Sequence, residues 1–126
     1  IDRLVLCSGK VYYDLLEARR EANCESVAII RLEQLYPFPE AALAELLSQY
    51  SKLKTAVWCQ EEPMNQGAWY SSQHHIRKVL QQHLPQLPLD YAGREAFAAP
   101  AAGSPSLHIE QQQQLVNEAL FGKPNA

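Results

Sequence analysis

Four short apolar segments constrain the fold of this chain more than any other feature, because helical periodicity follows each of them. The segments are residues 3–7, 26–32, 55–59 and 87–91. They are not built on polar–apolar alternation, and short apolar runs of this kind are typical of strands buried on both faces of a sheet. Helical connections between such strands imply parallel pairing with right-handed crossovers. The sequence therefore predicts an α/β fold, a three-layer, doubly wound and mostly parallel sheet.

The intervening helices are predicted from apolar residues that recur three and four positions apart. They span residues 10–22, a segment beginning near Pro39, and residues 68–84 and 108–121. We expect Ser8 to cap the first helix and Asn23 to end it in the left-handed conformation. The run 111–114 is four glutamines and is expected to form a solvated face. The residues of the last helix expected to point inward are Ile109, Val116, Ala119 and Leu120.

Length and composition indicate one ordinary globular domain, residues 1–126. Hydrophobic residues make up 47% of the chain, charged residues 20%, and the formal net charge is -3. Lys and Arg are scattered, whereas nucleic-acid binding requires clustered positive charge. No apolar run is long enough to cross a bilayer. The chain begins with Ile1 rather than Met, so we expect it to be a fragment of a longer protein.

The turn Cys-Ser-Gly-Lys, residues 7–10, is the first candidate site. A strand that enters a helix through such a turn presents backbone N–H groups at the positive end of the helix dipole, where an anion binds well. Ser8 and Lys10 are therefore candidate anion ligands, together with Arg94 just beyond the fourth strand. The turn has one glycine and matches no phosphate-binding motif. The alternative is a tight turn at Gly9 with solvated cations.

The polar segment 60–69 follows the third predicted strand, at the sheet edge where α/β proteins build their sites. Glu61 and Glu62 are adjacent in an extended segment, so they point in opposite directions and are not a facing acid–base pair. We expect one of them to contact a partner domain and the other to cap a helix or form an ion pair. The alternative is a solvated loop with Trp69 in the core.

The cysteines and histidines carry weaker signals. Cys7 and Cys59 lie in apolar strands, where a thiol behaves as a small hydrophobic group. The odd count of three cysteines, spaced widely, argues against a disulfide framework and favours a reducing compartment. His74 and His75 are neighbours on a helix, so we expect their side chains to diverge. No metal site and no catalytic set is predicted.

Several stretches together nevertheless resemble one family, the C-terminal domain of the thiamine-diphosphate-dependent, decarboxylating component of 2-oxoglutarate dehydrogenases. The more specific stretches are Leu-Tyr-Pro-Phe-Pro (35–39) and Gln-Glu-Glu-Pro-Met-Asn-Gln-Gly-Ala-Trp (60–69). Similar stretches occur at 5–15, 29–34, 91–95 and 98–104, and the closing segment 108–121 resembles the last helix of the family. The similarity covers nearly the whole chain in the right order.

The resemblance implies a fold like the transketolase C-terminal domain, a mixed sheet whose antiparallel edge strand precedes Arg3 and is expected to be missing here. It implies a homodimeric parent enzyme, in the bacterial cytoplasm or the mitochondrial matrix, that binds thiamine diphosphate and magnesium through upstream domains. That enzyme decarboxylates 2-oxoglutarate and passes the succinyl group to a lipoyl-bearing succinyltransferase component. The expected contacts with other domains or the second subunit are Gln60, Glu61, Glu62, Asn65, Gln66 and Trp69.

Three alternatives remain open from the sequence. The parent enzyme acts on 2-oxoadipate or another 2-oxo acid, the chain is a free-standing nucleotide- or flavin-binding module, or it is a purely structural domain. In the leading interpretation the isolated chain is catalytically inactive. A second hypothesis is that Ser8, Lys10 and Arg94 help to bind a regulatory anion such as a nucleotide or acyl-CoA phosphate. Apolar surface that other domains normally cover is then exposed, with four candidate residues: Tyr36, Phe38, Trp69 and Phe97.

Overall fold

The computed structural model describes residues 1–94 and 105–123, with side chains described for 1–94 and 107–123. Strands and helices alternate strictly along this part of the chain, which confirms the predicted order. The elements are β1 (Arg3–Cys7), α1 (Val11–Glu21), β2 (Val27–Arg31), α2 (Glu40–Ser48), β3 (Thr55–Pro63), α3 (Trp69–His83), β4 (Leu89–Arg94) and α4 (Pro105–Phe121).

The four strands form one sheet in the order β2-β1-β3-β4, and each neighbouring pair is parallel. Helices α2 and α3 cover one face of this sheet, and α1 and α4 cover the other. The predicted three-layer, doubly wound architecture is therefore confirmed. Because β1 continues through α1 to β2 on one side, while α2 returns the chain to β3 on the other, the direction of winding reverses between β1 and β3.

The central strand β1 shows why polar–apolar alternation is missing. Leu4 and Leu6 face the α2–α3 layer, where they join a core that includes Trp58. Val5 and Cys7 face the α1–α4 layer. All four β1 side chains are fully buried. Burial of an aliphatic side chain of this size contributes about 1.5–3 kcal/mol, so both faces of the strand favour apolar residues equally.

Two strands extend beyond their predicted ends. The sequence places a loop from Gln60, but β3 continues to Pro63, and β4 continues to Arg94 rather than ending at Tyr91. The extension is a paired segment, because Pro63 lies opposite Arg94 after a register shift that follows Cys59. Gln60 and Glu61, which suggested a loop, are therefore strand residues whose side chains are hydrogen-bonded at the end of the sheet. Residues 95–104, which follow β4, lie outside the described residues.

The helix termini correct one prediction and confirm another. Ser8 does not cap α1: the N-cap is Lys10, and no side chain caps this helix. The turn is made by Gly9 at φ 82°, a value that costs glycine little. Asn23 lies at φ 51°, as predicted for the end of α1. Pro39 occupies the N-cap position of α2.

The orientation of α4 also differs in part from the prediction. Val116, Ala119 and Leu120 are buried as expected, but Leu115 is buried too and Ile109 is 55% exposed. The first turns of α4 lie beside the end of β4, where Arg94 contacts His108 and Gln111. At its other end the helix is held by Arg3, which donates to the carbonyl oxygens of Ala119 (2.7 Å) and Glu118 (3.0 Å).

None of the helices in the described ranges has the length and apolar composition needed to cross a membrane.

Candidate functional site

The carboxyl ends of β1 and β3 lie side by side where the winding reverses, the position at which open α/β sheets commonly build sites. The turn through Gly9 follows Cys7, the last residue of β1. Gln60 and Glu61 follow Cys59, which pairs with Cys7. Because successive strand residues point to opposite faces, Gln60 turns toward the α2–α3 layer and Glu61 toward the α1–α4 layer. Each residue is the centre of a separate hydrogen-bond network.

Glu61 is the acceptor of the first network. Its Oε1 atom lies 3.1 Å from the Nζ atom of Lys10 and accepts a 2.7 Å hydrogen bond from Gln112 Nε2. The Lys10 side chain is 83% exposed and that of Glu61 is 20% exposed. An ion pair with one partner so fully hydrated adds about 0–1 kcal/mol. The contact therefore sets the position of Glu61 more than it stabilises the fold.

Arg94 joins the same network from the end of β4. Its guanidinium donates to the main-chain carbonyl oxygen of Glu61 and, at 3.2 Å, to Gln112 Oε1. Weaker contacts at 3.5 Å reach Gln111 and His108. The predicted anion ligands Lys10 and Arg94 are thus brought to one place, where both contact Glu61. A carboxylate of the chain already lies against Lys10, and Ser8 plays no capping part there.

Gln112 is the functional candidate that the sequence analysis missed. Besides bonding to Glu61 and Arg94, its amide donates to Asp14 Oδ2 at 2.9 Å, which ties α4 to α1. The expectation of a solvated glutamine face is correct only for Gln113 and Gln114, because Gln111 and Gln112 are half-buried. A signal was available, since Gln112 lies one helical turn before the buried Val116 and therefore on the same face.

Gln60 organises the second network from within the core, where it is 2% exposed. Its Oε1 atom accepts hydrogen bonds from Trp58 Nε1 (2.9 Å) and from the backbone N–H of Trp69 (3.1 Å). Its Nε2 atom donates to three carbonyl oxygens of the following segment, those of Glu62, Pro63 and Gln66. One buried amide therefore fixes the end of β3, the loop after it and the start of α3.

Burial divides the six residues that were predicted to contact other domains. Gln60 and Trp69 (6% exposed) are buried within the domain, so their side chains form no part of its exposed surface, and Trp69 lies in the core. Their polarity and aromaticity serve the internal network instead. Glu61 is half-buried against α1 and α4. Of the six, Glu62, Asn65 and Gln66 are exposed.

Gly93 and Tyr91 show how tightly the loop after β3 packs on β4. A Cβ atom on Gly93 would lie 2.5 Å from the Tyr91 hydroxyl oxygen and 2.8 Å from the Gln60 carbonyl oxygen. The Tyr91 hydroxyl donates to the Arg94 carbonyl oxygen at 2.9 Å, and its ring packs on Trp69 at 5.3 Å. Burial raises the pKa of Tyr91 to about 12, so the phenol stays protonated near neutrality.

The thiols behave as predicted. Burial raises the pKa of the Cys7 thiol to about 12 and raises that of Cys59 further, so both are neutral, unreactive groups in the core. All three cysteines are free. Cys24 is half-exposed.

The histidines differ from the expectation that neighbours on a helix diverge. The rings of His74 and His75 pack 4.0 Å apart, and His75 also stacks on Phe38 at 5.0 Å. His75 Nδ1 lies 2.8 Å from the Glu40 carboxylate. Among the described residues no group of three or more His, Cys, Asp and Glu side chains is arranged to hold a metal ion.

The exposed aromatic residues match the expected uncovered surface in part. Tyr36 is 93% exposed, beside the end of β2. Phe38 is half-buried and packs on the α2–α3 layer, and Trp69 is in the core. Phe97 lies outside the described residues.

Comparison with solved structures defines the class of fold. A chain titled split gene transketolase, inactive beta4 tetramer, superposes with a TM-score of 0.62 over 98% of this chain and 40% of its own length, at 18% sequence identity. The parallel sheet, its strand order and the two helical layers therefore belong to the transketolase C-terminal type, as predicted.

Sequence comparison then gives the family. The family model described as 2-oxoglutarate dehydrogenase C-terminal matches residues 1–120, and the chain belongs to this family. The 2-oxoglutarate dehydrogenase E1 component of Azotobacter vinelandii is 62% identical over 120 residues. Those of Haemophilus influenzae and Coxiella burnetii are 54% and 52% identical. Each alignment covers 95% of this chain but only 12–13% of the relative.

Proposed function

We propose that this chain is the C-terminal assembly domain of a thiamine-diphosphate-dependent 2-oxoglutarate dehydrogenase component. The observation that carries the proposal is the family match over residues 1–120, with up to 62% identity to proteins named as that component. The parent enzyme decarboxylates 2-oxoglutarate oxidatively and transfers the succinyl group to the lipoyl group of its succinyltransferase partner. The names of these relatives favour 2-oxoglutarate over 2-oxoadipate as substrate.

In this proposal thiamine diphosphate and magnesium are bound by domains outside this chain, and none of its residues is assigned to them. The chain contributes a surface at the carboxyl edge of the sheet, formed by Glu62, Asn65 and Gln66. This surface packs against the upstream domains of the same protein or against the second subunit of a homodimer. We place the parent enzyme in the bacterial cytoplasm or the mitochondrial matrix.

The geometry supports an assembly role because the exposed loop is held in one conformation. The Gln60 amide donates to the Glu62 and Gln66 carbonyl oxygens at 3.1 and 2.8 Å. The backbone that carries the exposed side chains is therefore held by hydrogen bonds to a buried group. A surface that is ordered before it binds loses less conformational entropy on association. A loop of this length without such internal bonding would carry a larger ordering cost.

The regulatory-anion hypothesis for Ser8, Lys10 and Arg94 has weaker support. The anion would have to break the 3.1 Å contact between Lys10 and Glu61 and bind next to the negatively charged Glu61 carboxylate. Calorimetry on the full-length enzyme and on its Lys10→Ala and Arg94→Ala variants tests it with a nucleotide as ligand. Unchanged nucleotide affinity in both variants would exclude the site.

The assembly proposal is tested in the full-length enzyme by replacing Glu62, Asn65 and Gln66 together with alanine. The matched control replaces three exposed polar residues near the end of α3 and in the loop after it: Gln81, Gln82 and Gln86. Sedimentation measures the dimer dissociation constant, and a 2-oxoglutarate decarboxylation assay with thiamine diphosphate and magnesium measures activity.

We expect the first variant to dissociate about tenfold or more readily than the control, or to lose activity at an unchanged subunit fold, because interface contacts are concentrated in few residues. If dimerisation and activity equal those of the control, the loop is only structural. If the unmodified enzyme decarboxylates 2-oxoadipate but not 2-oxoglutarate, the substrate assignment is wrong while the assembly role is unaffected.

A further inference from the structure

A groove of about 610 Å³ runs between α1 and α4. Four of its lining residues, Lys10, Asp14, Glu61 and Gln112, also belong to the first hydrogen-bond network. On α1 it extends from Lys10 to Glu21, a distance of about 16 Å at the rise of an α-helix. Its floor includes Ala18 and the buried Val116, and the exposed Ile109 stands on its α4 side. The groove therefore combines an apolar interior with the length of about three helical turns.

The α1 wall of this groove carries a row of carboxylates. Asp14, Glu17 and Glu21 are spaced three and four residues apart, line the groove and are all exposed. With Glu61, the described residues that line the groove include four carboxylates and one ammonium group, that of Lys10. The opposite wall adds neutral amides and an imidazole, from Gln112, Gln113, Asn117 and His108. The groove is thus acidic along its whole length.

The acidic row is unfavourable for the isolated helix. Like charges three and four residues apart repel each other. Glu21 is the last residue of α1, where the helix dipole disfavours a carboxylate. Arg20 pairs with Glu17 at the surface, but the two side chains are 73% and 54% exposed, so solvent screens this pair strongly. Cations supplied from outside the described chain would relieve this repulsion.

We infer that the α1–α4 groove binds a basic amphipathic helix of a partner protein. Lys or Arg residues spaced three and four apart on that helix pair with Asp14, Glu17 and Glu21. Its apolar residues contact Ala18, Val116 and Ile109. This is the recognition mode in which a helix lays an apolar stripe into a groove and flanking charges set its orientation. The surface is separate from the carboxyl-edge surface of Glu62, Asn65 and Gln66, so the two proposals fail independently.

The experiment uses the full-length enzyme and a fluorescein-labelled helical peptide of three turns, with a Lys stripe beside a Leu stripe on an alanine background. Fluorescence anisotropy measures its affinity at low and high salt. The test variant is the pair Glu17→Gln and Glu21→Gln, which removes charge at nearly constant shape. The matched control is Glu33→Gln with Glu45→Gln, two exposed carboxylates on the other side of the chain's fold.

We expect the test pair to weaken peptide binding about fivefold at low salt and less at high salt, because exposed charges are screened. The control pair should bind as the unmodified enzyme does. Ile109→Ser should weaken binding severalfold at every salt concentration. A peptide with Ser in place of Leu should bind more weakly to the unmodified enzyme.

Three results would overturn the inference. The first is no binding of the Lys–Leu peptide to the unmodified enzyme, as expected if another domain or the second subunit already fills the groove. The second is equal affinity for the test and control pairs. The third is equal affinity for the Leu and Ser peptides, which would show attraction by charge alone.

Discussion

Replacement of Gln60 by leucine is the sharpest perturbation that the structure suggests. Leucine keeps the apolar part of the side chain in a position that is 2% exposed, but removes both the amide oxygen and the amide nitrogen. The Trp58 indole N–H and the Trp69 backbone N–H then lose their shared acceptor. Both donors are buried, so neither recovers its hydrogen bond from water.

The expected cost follows from those two donors. A buried donor left without an acceptor costs about 1–3 kcal/mol, so two give a loss of about 4 kcal/mol in the free energy of unfolding. The carbonyl oxygens of Glu62, Pro63 and Gln66 also lose a donor. Glu62 and Gln66 are exposed, so water can replace it there, and the Pro63 oxygen keeps its hydrogen bond from the Gln66 N–H. A loss of this size is a large fraction of the roughly 5–15 kcal/mol that stabilises a typical domain.

Urea unfolding of the chain, followed by tryptophan fluorescence, measures the loss. The chain has only two tryptophans, and both are bonded to Gln60, so the signal reports on this network directly. The matched control is Gln82→Leu, at an exposed position of α3, where we expect a change within about 0.5 kcal/mol. Hydrogen exchange of the Trp58 indole N–H should become faster in the Gln60 variant.

A loss below about 1 kcal/mol, with unchanged exchange at Trp58, would refute this reasoning. It would mean that the two donors find another acceptor and that Gln60 does not organise the loop.

Three further predictions concern single groups. Gly93→Ala should cost about 1–3 kcal/mol, because the added Cβ atom would meet the Gln60 carbonyl oxygen at 2.8 Å, and thermal or urea unfolding measures the loss. The hydrogen bond from His75, and after it the hydrogen bond from Lys78, lowers the pKa of Glu40 below its usual 4.5. The stability that this carboxylate contributes is complete above its unfolded-state pKa and is lost as the pH falls through its folded-state pKa. The stability difference between the native chain and Glu40→Gln, measured by urea titration, should therefore disappear at acid pH. A thiol reagent near neutral pH should modify Cys24 rapidly in the native chain. Cys7 and Cys59 should react only after unfolding, because burial keeps these two strand thiols protonated.

Each of these has an outcome that contradicts it. Unchanged stability in Gly93→Ala would show that the tyrosine and the β3 backbone move aside freely. A Glu40→Gln difference that persists or grows at acid pH would mean that the carboxylate is not the stabilising form. Rapid modification of a second thiol without unfolding would show that a strand of the sheet opens locally.

The architecture was predictable because a strand that is buried on both faces has an apolar residue at every position. Leu4 to Cys7 and Ala56 to Cys59 have no solvent-facing position, so both stretches must be apolar throughout. The ends of β3 and β4 were not predictable in the same way. Gln60 is polar and buried, which is rare, and only its five hydrogen bonds, to partners up to nine residues away, make that position favourable. Polarity at a strand end therefore suggested a loop.

The candidate site was predictable in location but not in composition. The carboxyl edge follows from strand order, and Lys10, Glu61 and Arg94 were identified there from sequence. Gln112 was not, because it lies 51 residues beyond Glu61 in the chain and its partners depend on how α4 is rotated. The four consecutive glutamines are chemically identical, so only the helical phase set by the buried Leu115 and Val116 distinguishes the two that are half-buried, Gln111 and Gln112.

The division of Gln60 and Glu61 between the two faces of β3 has a consequence for insertions and deletions. Removing one residue just before Gln60 would move each of the two side chains to the opposite face of the strand. The Glu61 carboxylate would then enter the pocket beside Trp58, and the Gln60 amide would leave that pocket for the α1–α4 face. Both helical layers would lose their contact with the same strand at once. This part of the chain should therefore tolerate substitution at Asn65 or Gln66 far better than any change in length between Cys59 and Gln60.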